Sequence, residues 1–219
     1  HLDPGMNREG MPTRVWFIRA QIRELSGDKD GAAADRAFGI KLEPNEVQSW
    51  NARGFLRLDK EPEKALADVR EAERLDPRSI HALQNQAHVL GELLNRPEEA
   101  LAAIDRLLRY HPQYLDAVAT RGVYLARLGQ IENAVNQAEA AVALSDTGYT
   151  HFKAACVYAR VSAQQADYKK DALSHLSKAL MAGYGHDQLQ KTSELEPLRS
   201  DLMFKQLVGF AALMKSMRK

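Results

Sequence analysis

Apolar residues recur along the chain at the spacing of an α-helix, and short breaks divide them into pairs of segments. In the first segment the apolar residues fall three or four positions apart, at Val15, Ile18, Ile22 and Leu25. This interval is the period of one helix face. Gly27-Asp28 interrupts the segment, and a second helical segment follows until Pro44 ends it. The pattern predicts a pair of helices joined by a tight turn.

The same pair of segments recurs at a constant interval, and its clearest copy covers residues 115–148. The first helix of each copy has a small or compact residue at one fixed place: Ala20, Gly54, His88, Gly122 and Cys156. The second helix has an alanine at its own fixed place: Ala32, Ala65, Ala100, Ala134 and Ala172. A constant interval of about 34 residues is typical of a repeat array. We expect the two helices of each copy to approach closely at these positions.

The interval predicts five helix pairs, which cover about residues 12–46, 47–78, 79–114, 115–148 and 149–184. Residues 1–11 are interpreted as the tail of a preceding repeat or as a cloning remnant. The fifth pair has a longer distance between its fixed residues, and the insertion is expected within residues 162–168 because insertions in repeats fall in turns. Ser145-Asp146 is expected to cap the helix that follows.

Residues 185–219 break the pattern and are predicted to form C-terminal capping helices. Ser200 is expected to cap the last one. Its apolar face is predicted to cover the end of the fifth pair, as a solenoid requires: Phe204, Leu207, Val208, Ala211 and Met214.

Composition narrows the range of functions. The chain has 30 basic and 29 acidic residues, a net charge of +1, whereas nucleic-acid binding proteins usually have a basic stripe. No apolar run approaches the roughly 18 residues of a membrane-spanning helix. Cys156 is the single cysteine, which excludes an internal disulfide and fits a reducing compartment. We therefore expect a cytoplasmic protein with no nucleic-acid partner and no membrane insertion.

These features resemble the tetratricopeptide repeat (TPR) family over about residues 12–184. The likeness rests on the interval, the paired helices and the small residues, and on Arg121-Gly122 followed by Gly129. Trp16 and Trp50 occupy the usual tryptophan place of the repeat, where packing between repeats is the expected role. Gly39, His88 and Leu107 depart from the family pattern. The C-terminal sequence is also similar to the tail of some bacterial arrays. The resemblance implies an all-α solenoid, a right-handed superhelix of five helix pairs with a C-terminal capping helix.

Arrays of this kind bind peptides or protein surfaces along a concave wall built from the first helices. Asn51 and Asn85 occupy equivalent places in consecutive copies, and amide side chains can both donate to and accept from a peptide backbone. The open alternative is an ordinary solvated groove. A helical projection predicts these inward-facing side chains: Gln48, Asn51, Asn85, Gln86, Thr120, Lys153 and Arg160.

Residue patterns for catalysis are absent from the sequence. His81 and His88 lie seven apart on one helix, but no third residue stands at a metal-site spacing, so packed or surface histidines are expected. Cys156 is interpreted as a buried thiol. No phosphate loop, dinucleotide fingerprint or nucleophile elbow is present. We expect no enzyme activity, no metal and no cofactor.

The leading interpretation is a non-catalytic scaffold that binds a partner protein or an extended peptide. Two alternatives come from other classes. One is the regulatory or docking segment of a larger signalling enzyme, for example a bacterial kinase. The other is self-association into a homo-oligomer.

Overall fold

The computed structural model of the protein describes the backbone of residues 11–217, and every regular element in that range is helical. The predicted tail at residues 1–11 lies almost wholly outside the described residues. The chain forms two compact units, unit 1 (His1–Arg96) and unit 2 (Pro97–Lys219). Unit 1 contains α1 (Arg14–Leu25), α2 (Lys29–Lys41), α3 (Val47–Arg57), α4 (Pro62–Leu75), α5 (Ile80–His88) and a π-helix (Val89–Leu93). Unit 2 contains α6 (Pro97–Tyr110), α7 (Leu115–Arg127), α8 (Ile131–Leu144), α9 (Gly148–Ser162), α10 (Lys169–Met181), two 3-10 helices (Ala166–Tyr168 and Ser193–Leu198) and α11 (Leu202–Met217).

Four of the pairs pack first helix against second: α1 on α2, α3 on α4, α7 on α8 and α9 on α10. The fixed alanines Ala32, Ala65, Ala100, Ala134 and Ala172 are all 0% exposed. At Gly54, an added Cβ would lie 3.0 Å from Val69 and 3.3 Å from the Ala65 carbonyl oxygen. Small residues are required at these places because a larger side chain would separate the two helices.

Residues with positive φ form the turns inside three of the helix pairs. Gly27, Asn95 and Gly129 have φ of +88°, +52° and +71°, and they occupy the same place in the first, third and fourth copies of the repeat. A residue with positive φ after a helix allows the next backbone N–H to donate back to a carbonyl of the last helical turn, as in the Schellman motif. Here Asp28 N donates to the Arg23 carbonyl, and Gln130 N donates to the Leu125 carbonyl. The turn positions therefore follow the repeat interval.

Two departures from the family pattern have a packing explanation. At Gly39, an added Cβ would lie 2.5 Å from the ring of Phe17, so the glycine makes room for that ring. Leu107 is fully buried and fills its place with a larger side chain. His88, the third departure, is exposed at the end of α5.

Each of the first two helix pairs contains an ionic cluster that joins its two helices, and the two clusters are equivalent. The Asp35 carboxylate of α2 accepts from Arg19 Nε at 2.7 Å and lies 3.2 Å from Arg23 Nη1. Arg19 also lies over the Trp16 ring, 4.4 Å from its centroid. Both arginines come from α1, so the carboxylate joins α2 to α1.

The second cluster repeats this arrangement one repeat later. Asp68 of α4 lies 2.8 Å from Arg53 Nη2 and 2.8 Å from Arg57 Nη1. Arg53 lies over the Trp50 ring, 4.7 Å from its centroid, and donates to the Leu42 carbonyl at 2.7 Å. The cluster therefore joins α4 to α3 and to the end of the preceding helix pair.

Helix α9 is the centre of unit 2 and is buried on almost every face. In this helix, His151 Nδ1 lies 2.8 Å from His175 Nδ1 of α10. The other ring nitrogen of His151, Nε2, lies 2.8 Å from Asp146 Oδ1. The His175 ring stacks on Tyr158, which donates to Glu139 at 2.5 Å. A polar chain thus joins α8, α9 and α10 inside an apolar core.

Two helix caps differ from the sequence prediction. The cap of α9 is Thr147, which forms a reciprocal capping box with Thr150, in place of Ser145-Asp146. The cap of α11 is Asp201, whose Oδ1 accepts from Met203 N at 2.9 Å, in place of Ser200. In both cases the cap lies one or more residues closer to the helix than predicted.

The C-terminal segment is held to the rest of unit 2 by an apolar face and by ion pairs, the more buried of which involves Glu194. Phe204 and Ala211 of α11 are buried in the core around α9. Glu194 accepts from Arg127 Nε of α7 at 2.8 Å. Burial raises the pKa of Glu194, but the Arg127 guanidinium outweighs burial, so the pKa of this carboxyl lies below its usual value. Glu194 is therefore ionised and anchors the segment that precedes α11.

Candidate functional site

In unit 1, the predicted amide side chains on α3 and α5 meet. Asn85 Nδ2 donates to Asn51 Oδ1 at 3.4 Å, and Asn51 Nδ2 donates to the Val47 carbonyl at 3.1 Å. Both side chains are partly exposed. The two amides form a polar strip that crosses from one first helix to the next.

This polar strip has a hydrogen-bond acceptor that a ligand can use. Asn85 Oδ1 has no hydrogen-bond partner among residues 11–217, and an amide oxygen can accept from a peptide N–H. Gln48 is exposed one turn before Asn51. We name Gln48, Asn51 and Asn85 the amide strip.

The Gln86 side chain points away from these amides, although the helical projection predicted that it would lie with them. It is 2% exposed, and its Nε2 donates to Glu73 of α4 at 3.0 Å. The prediction of Gln86 as an open groove residue is therefore wrong, because the side chain turns back onto the preceding second helix.

In unit 2, predicted residues of α7 and α9 surround one tyrosine. The Tyr149 hydroxyl donates to Asp116, and Thr120 interacts with the same phenol oxygen. Lys153 Nζ lies 5.8 Å from the centroid of the Tyr149 ring. The four residues place a carboxylate, a phenol and an ammonium side by side, and we name them the tyrosine cluster.

The tyrosine stays protonated in this setting. Burial, followed by the hydrogen bond to Asp116 and its negative charge, raises the pKa of Tyr149 above its ordinary value. The Tyr184 ring meets it edge-on, with ring centroids 5.6 Å apart. The phenol is thus a fixed donor, and the position of its ring is set by Asp116, Thr120 and Tyr184.

Arg160 lies on α9 beyond the tyrosine cluster and is exposed. It follows Lys153 by seven residues, which is two helical turns and about 10 Å along the axis. The two cations therefore lie on one face of α9.

Asp116 and Tyr149 are not among the site residues predicted from the sequence. They are 33 residues apart, one short of the repeat interval, so matching equivalent positions does not pair them. A usable signal was present in α9 itself, where Tyr149 lies four residues before Lys153 and therefore on the same face.

The histidines and the cysteine that could serve a metal or catalytic site do not form one in the described part of the chain. His81 and His88 are both exposed, and Cys156 is 3% exposed in the core around α9. Within residues 11–217, no group of three or more His, Cys, Asp or Glu side chains is arranged to hold a metal ion. No described helix combines the length and the apolar character needed to cross a bilayer.

No protein-family model matches the sequence, and no curated protein matches it either. Solved structures do match. One is MamA from Desulfovibrio magneticus RS-1, with a TM-score of 0.60 and 16% identity, covering 78% of this chain and 94% of that chain. A second is TTC0263, a thermophilic TPR protein of Thermus thermophilus, with a TM-score of 0.58 and 19% identity, covering 92% of this chain and 99% of that chain.

A third solved structure is YrrB, described as a TPR protein with an unusual peptide-binding site. It has a TM-score of 0.54 and 18% identity, and the match covers 92% of this chain and 90% of that chain. At these identities the similarity is one of fold. The predicted all-α solenoid of TPR type is confirmed.

Proposed function

We propose that this chain is a non-catalytic scaffold that binds an extended peptide segment of a partner protein. The observation that carries the proposal is the contact between Asn51 and Asn85, which places two amides in register on neighbouring first helices. The TPR-type fold, shared with a protein described as having a peptide-binding site, supports the same function.

The amide strip suits an extended backbone. Peptide groups of an extended chain present donors and acceptors at regular intervals, and a side-chain amide offers both kinds of group. Because Asn51 holds Asn85 in place, little side-chain entropy is lost when a ligand binds Asn85. This part of the proposal concerns unit 1 alone.

The tyrosine cluster suits a second peptide segment in unit 2. Aromatic rings that are held rigidly give contact area at low entropic cost. Lys153 and Arg160 add positive charge along α9, so acidic side chains of the ligand are favoured beside this cluster.

The test begins with a display library of random peptides, selected on the immobilised full chain. Affinities of the selected peptides are then measured by fluorescence anisotropy. For peptides that bind unit 1, we expect the variant Asn51→Ala/Asn85→Ala to bind about tenfold more weakly, the loss expected for one or two hydrogen bonds. For peptides that bind unit 2, Thr120→Ala/Lys153→Ala is expected to have a similar effect.

The matched control is Asn136→Ala, which removes an exposed amide from the second helix α8. It is expected to leave every affinity unchanged. The proposal is refuted if the selected peptides bind both double variants as tightly as the original chain.

A further inference from the structure

Helix α11 exposes an apolar stripe on the side that faces away from the core. Leu202 is 72% exposed, Met203 49%, Phe210 39% and Leu213 58%. At 3.6 residues per turn these four side chains fall within an arc of about 100°, whereas the buried Phe204 and Ala211 lie outside it. Exposed apolar stripes of this kind mark interaction sites in soluble proteins.

A cleft lies beside this stripe, between α10 and α11, and has a volume of about 590 Å³. Leu173 and Met203 give it apolar walls, and Lys169, Lys170 and Lys178 line it together with a single acid, Asp167. Met203 belongs both to the cleft and to the stripe, so the two features form one continuous surface. We name it the α10–α11 surface.

Two of the lysines that line the cleft can form ion pairs with a ligand. Lys169 lies 3.7 Å from Asp201, but Lys170 and Lys178 have no ion-pair partner among the described residues. They are eight residues apart on α10, which is about 12 Å along the helix axis. Each can therefore pair with a separate carboxylate of a ligand that lies along the cleft.

The charge of the α10–α11 surface argues against a second copy of this chain as the occupant. Its cleft is lined by three lysines, Lys169, Lys170 and Lys178, against the single acid Asp167. Two copies that paired through this surface would bring like charges together, which is unfavourable. An acidic partner has the complementary charge.

We propose that the α10–α11 surface binds an acidic amphipathic helix of a partner protein. The apolar face of that helix packs on Met203, Phe210 and Leu213, and one of its side chains enters the cleft. Its flanking carboxylates pair with Lys170 and Lys178. A helix laid in an apolar groove is an established mode of recognition, whereas a flat lipid surface would leave the cleft unfilled. This surface shares no residue with the amide strip or the tyrosine cluster.

The probe is a synthetic fluorescein-labelled peptide with leucine along one helix face and glutamate on its flanks. The matched peptide has lysine in place of each glutamate. We expect the full chain to bind the glutamate peptide in an anisotropy titration and to bind the lysine peptide about tenfold more weakly or not at all. Added salt is expected to weaken binding, because part of the attraction is between exposed charges.

Two variants identify the surface. Lys170→Glu/Lys178→Glu is expected to weaken binding of the glutamate peptide about tenfold, equivalent to about 1.4 kcal/mol, and to strengthen binding of the lysine peptide. Phe210→Gln is expected to weaken both. Lys191→Glu changes an exposed lysine that does not line the cleft and is the matched control, expected to have no effect. Circular dichroism checks that each variant is folded.

Three results would overturn the proposal. The first is no binding of the glutamate peptide by the full chain. The second is equal binding of the two peptides, or an unchanged affinity in Lys170→Glu/Lys178→Glu. The third is sedimentation with vesicles of phosphatidylcholine and phosphatidylserine that depends on the two lysines and Phe210 while neither peptide binds, which would assign the surface to an anionic membrane.

Discussion

At the scale of single residues, two buried carboxylates fasten the first two helix pairs. The side chains of Asp35 and Asp68 are only 4% and 2% exposed. An unpaired charge at such depth is strongly unfavourable, and each carboxylate is therefore enclosed by two arginines from the preceding helix. The arginines depend on the carboxylate in turn, since without it two guanidinium groups would face each other.

The substitution Asp68→Asn tests this dependence. It removes the buried counter-charge of Arg53 and Arg57 and leaves each arginine with only a more exposed glutamate, Glu43 at 3.4 Å and Glu61 at 3.8 Å. We therefore expect a loss of about 3 kcal/mol in the free energy of unfolding. Both tryptophans of the chain, Trp16 and Trp50, lie in unit 1, so urea unfolding followed by tryptophan fluorescence reports on that unit. The control is Asp59→Asn, an exposed acid in the turn after α3. An equal and small effect of the two substitutions would contradict the role of the cluster.

The repeat interval was sufficient to predict the small positions but not these charge contacts. Ala65 and Gly54 could be identified because close helix approach restricts the residue type at a fixed place. The burial of Gln86 could not be predicted, because it depends on which neighbouring helix the side chain turns to. The same holds for the caps, since Thr147 and Asp201 are each one of several polar residues near a helix start.

At the scale of elements, the sequence predicts where the helices lie, but it predicts only in part which face of each helix is buried. The apolar period identified α1, yet its Ile18, Ile22 and Leu25 are 52%, 61% and 85% exposed. A period of three and four is a property of the helix alone, whereas burial depends on what packs against it. The period identified α11 in the same way, and there the predicted Phe204 and Ala211 are buried.

The contact between α9 and α10 makes unit 2 sensitive to pH. Burial, then the nearby His151 and Lys178, lower the pKa of His175, while Glu139 and Asp171 act in the opposite direction. The folded state therefore binds fewer protons than the unfolded state as the pH falls below the ordinary histidine pKa of about 6.5. Stability due to the neutral ring is complete above that pH and is lost as the pH falls toward the lowered folded-state pKa.

We expect the thermal unfolding temperature, followed by circular dichroism, to decrease between about pH 7 and pH 5. The slope for one proton cannot exceed about 1.4 kcal/mol per pH unit, and solvent screening at this partly exposed ring makes it smaller. His175→Gln is expected to flatten the pH dependence, and His81→Gln, at an exposed position of α5, is expected to leave it unchanged. A pH dependence that persists in His175→Gln would contradict this assignment.

At the scale of the whole molecule, the chain consists of two compact units whose boundary falls between Arg96 and Pro97. The repeat interval continues across this boundary, from His88 to Gly122, so periodicity alone gave no sign of it. The local features at the boundary are a π-helix at Val89–Leu93 and the left-handed Asn95. Each unit has its own candidate binding residues, the amide strip in unit 1 and the tyrosine cluster in unit 2.

Chemical-shift mapping of the isotope-labelled chain tests whether the first helices form the face that binds a peptide. A peptide selected by the full chain is titrated in, and the resonances that move identify the residues that bind it. We expect shifts of the Asn51 and Asn85 side-chain amides, or of the Thr120, Tyr149 and Lys153 backbone amides, with Asn136 unmoved. Shifts confined to the second helices α2, α4 and α8 would contradict this expectation, because the first helices would then not form the binding face.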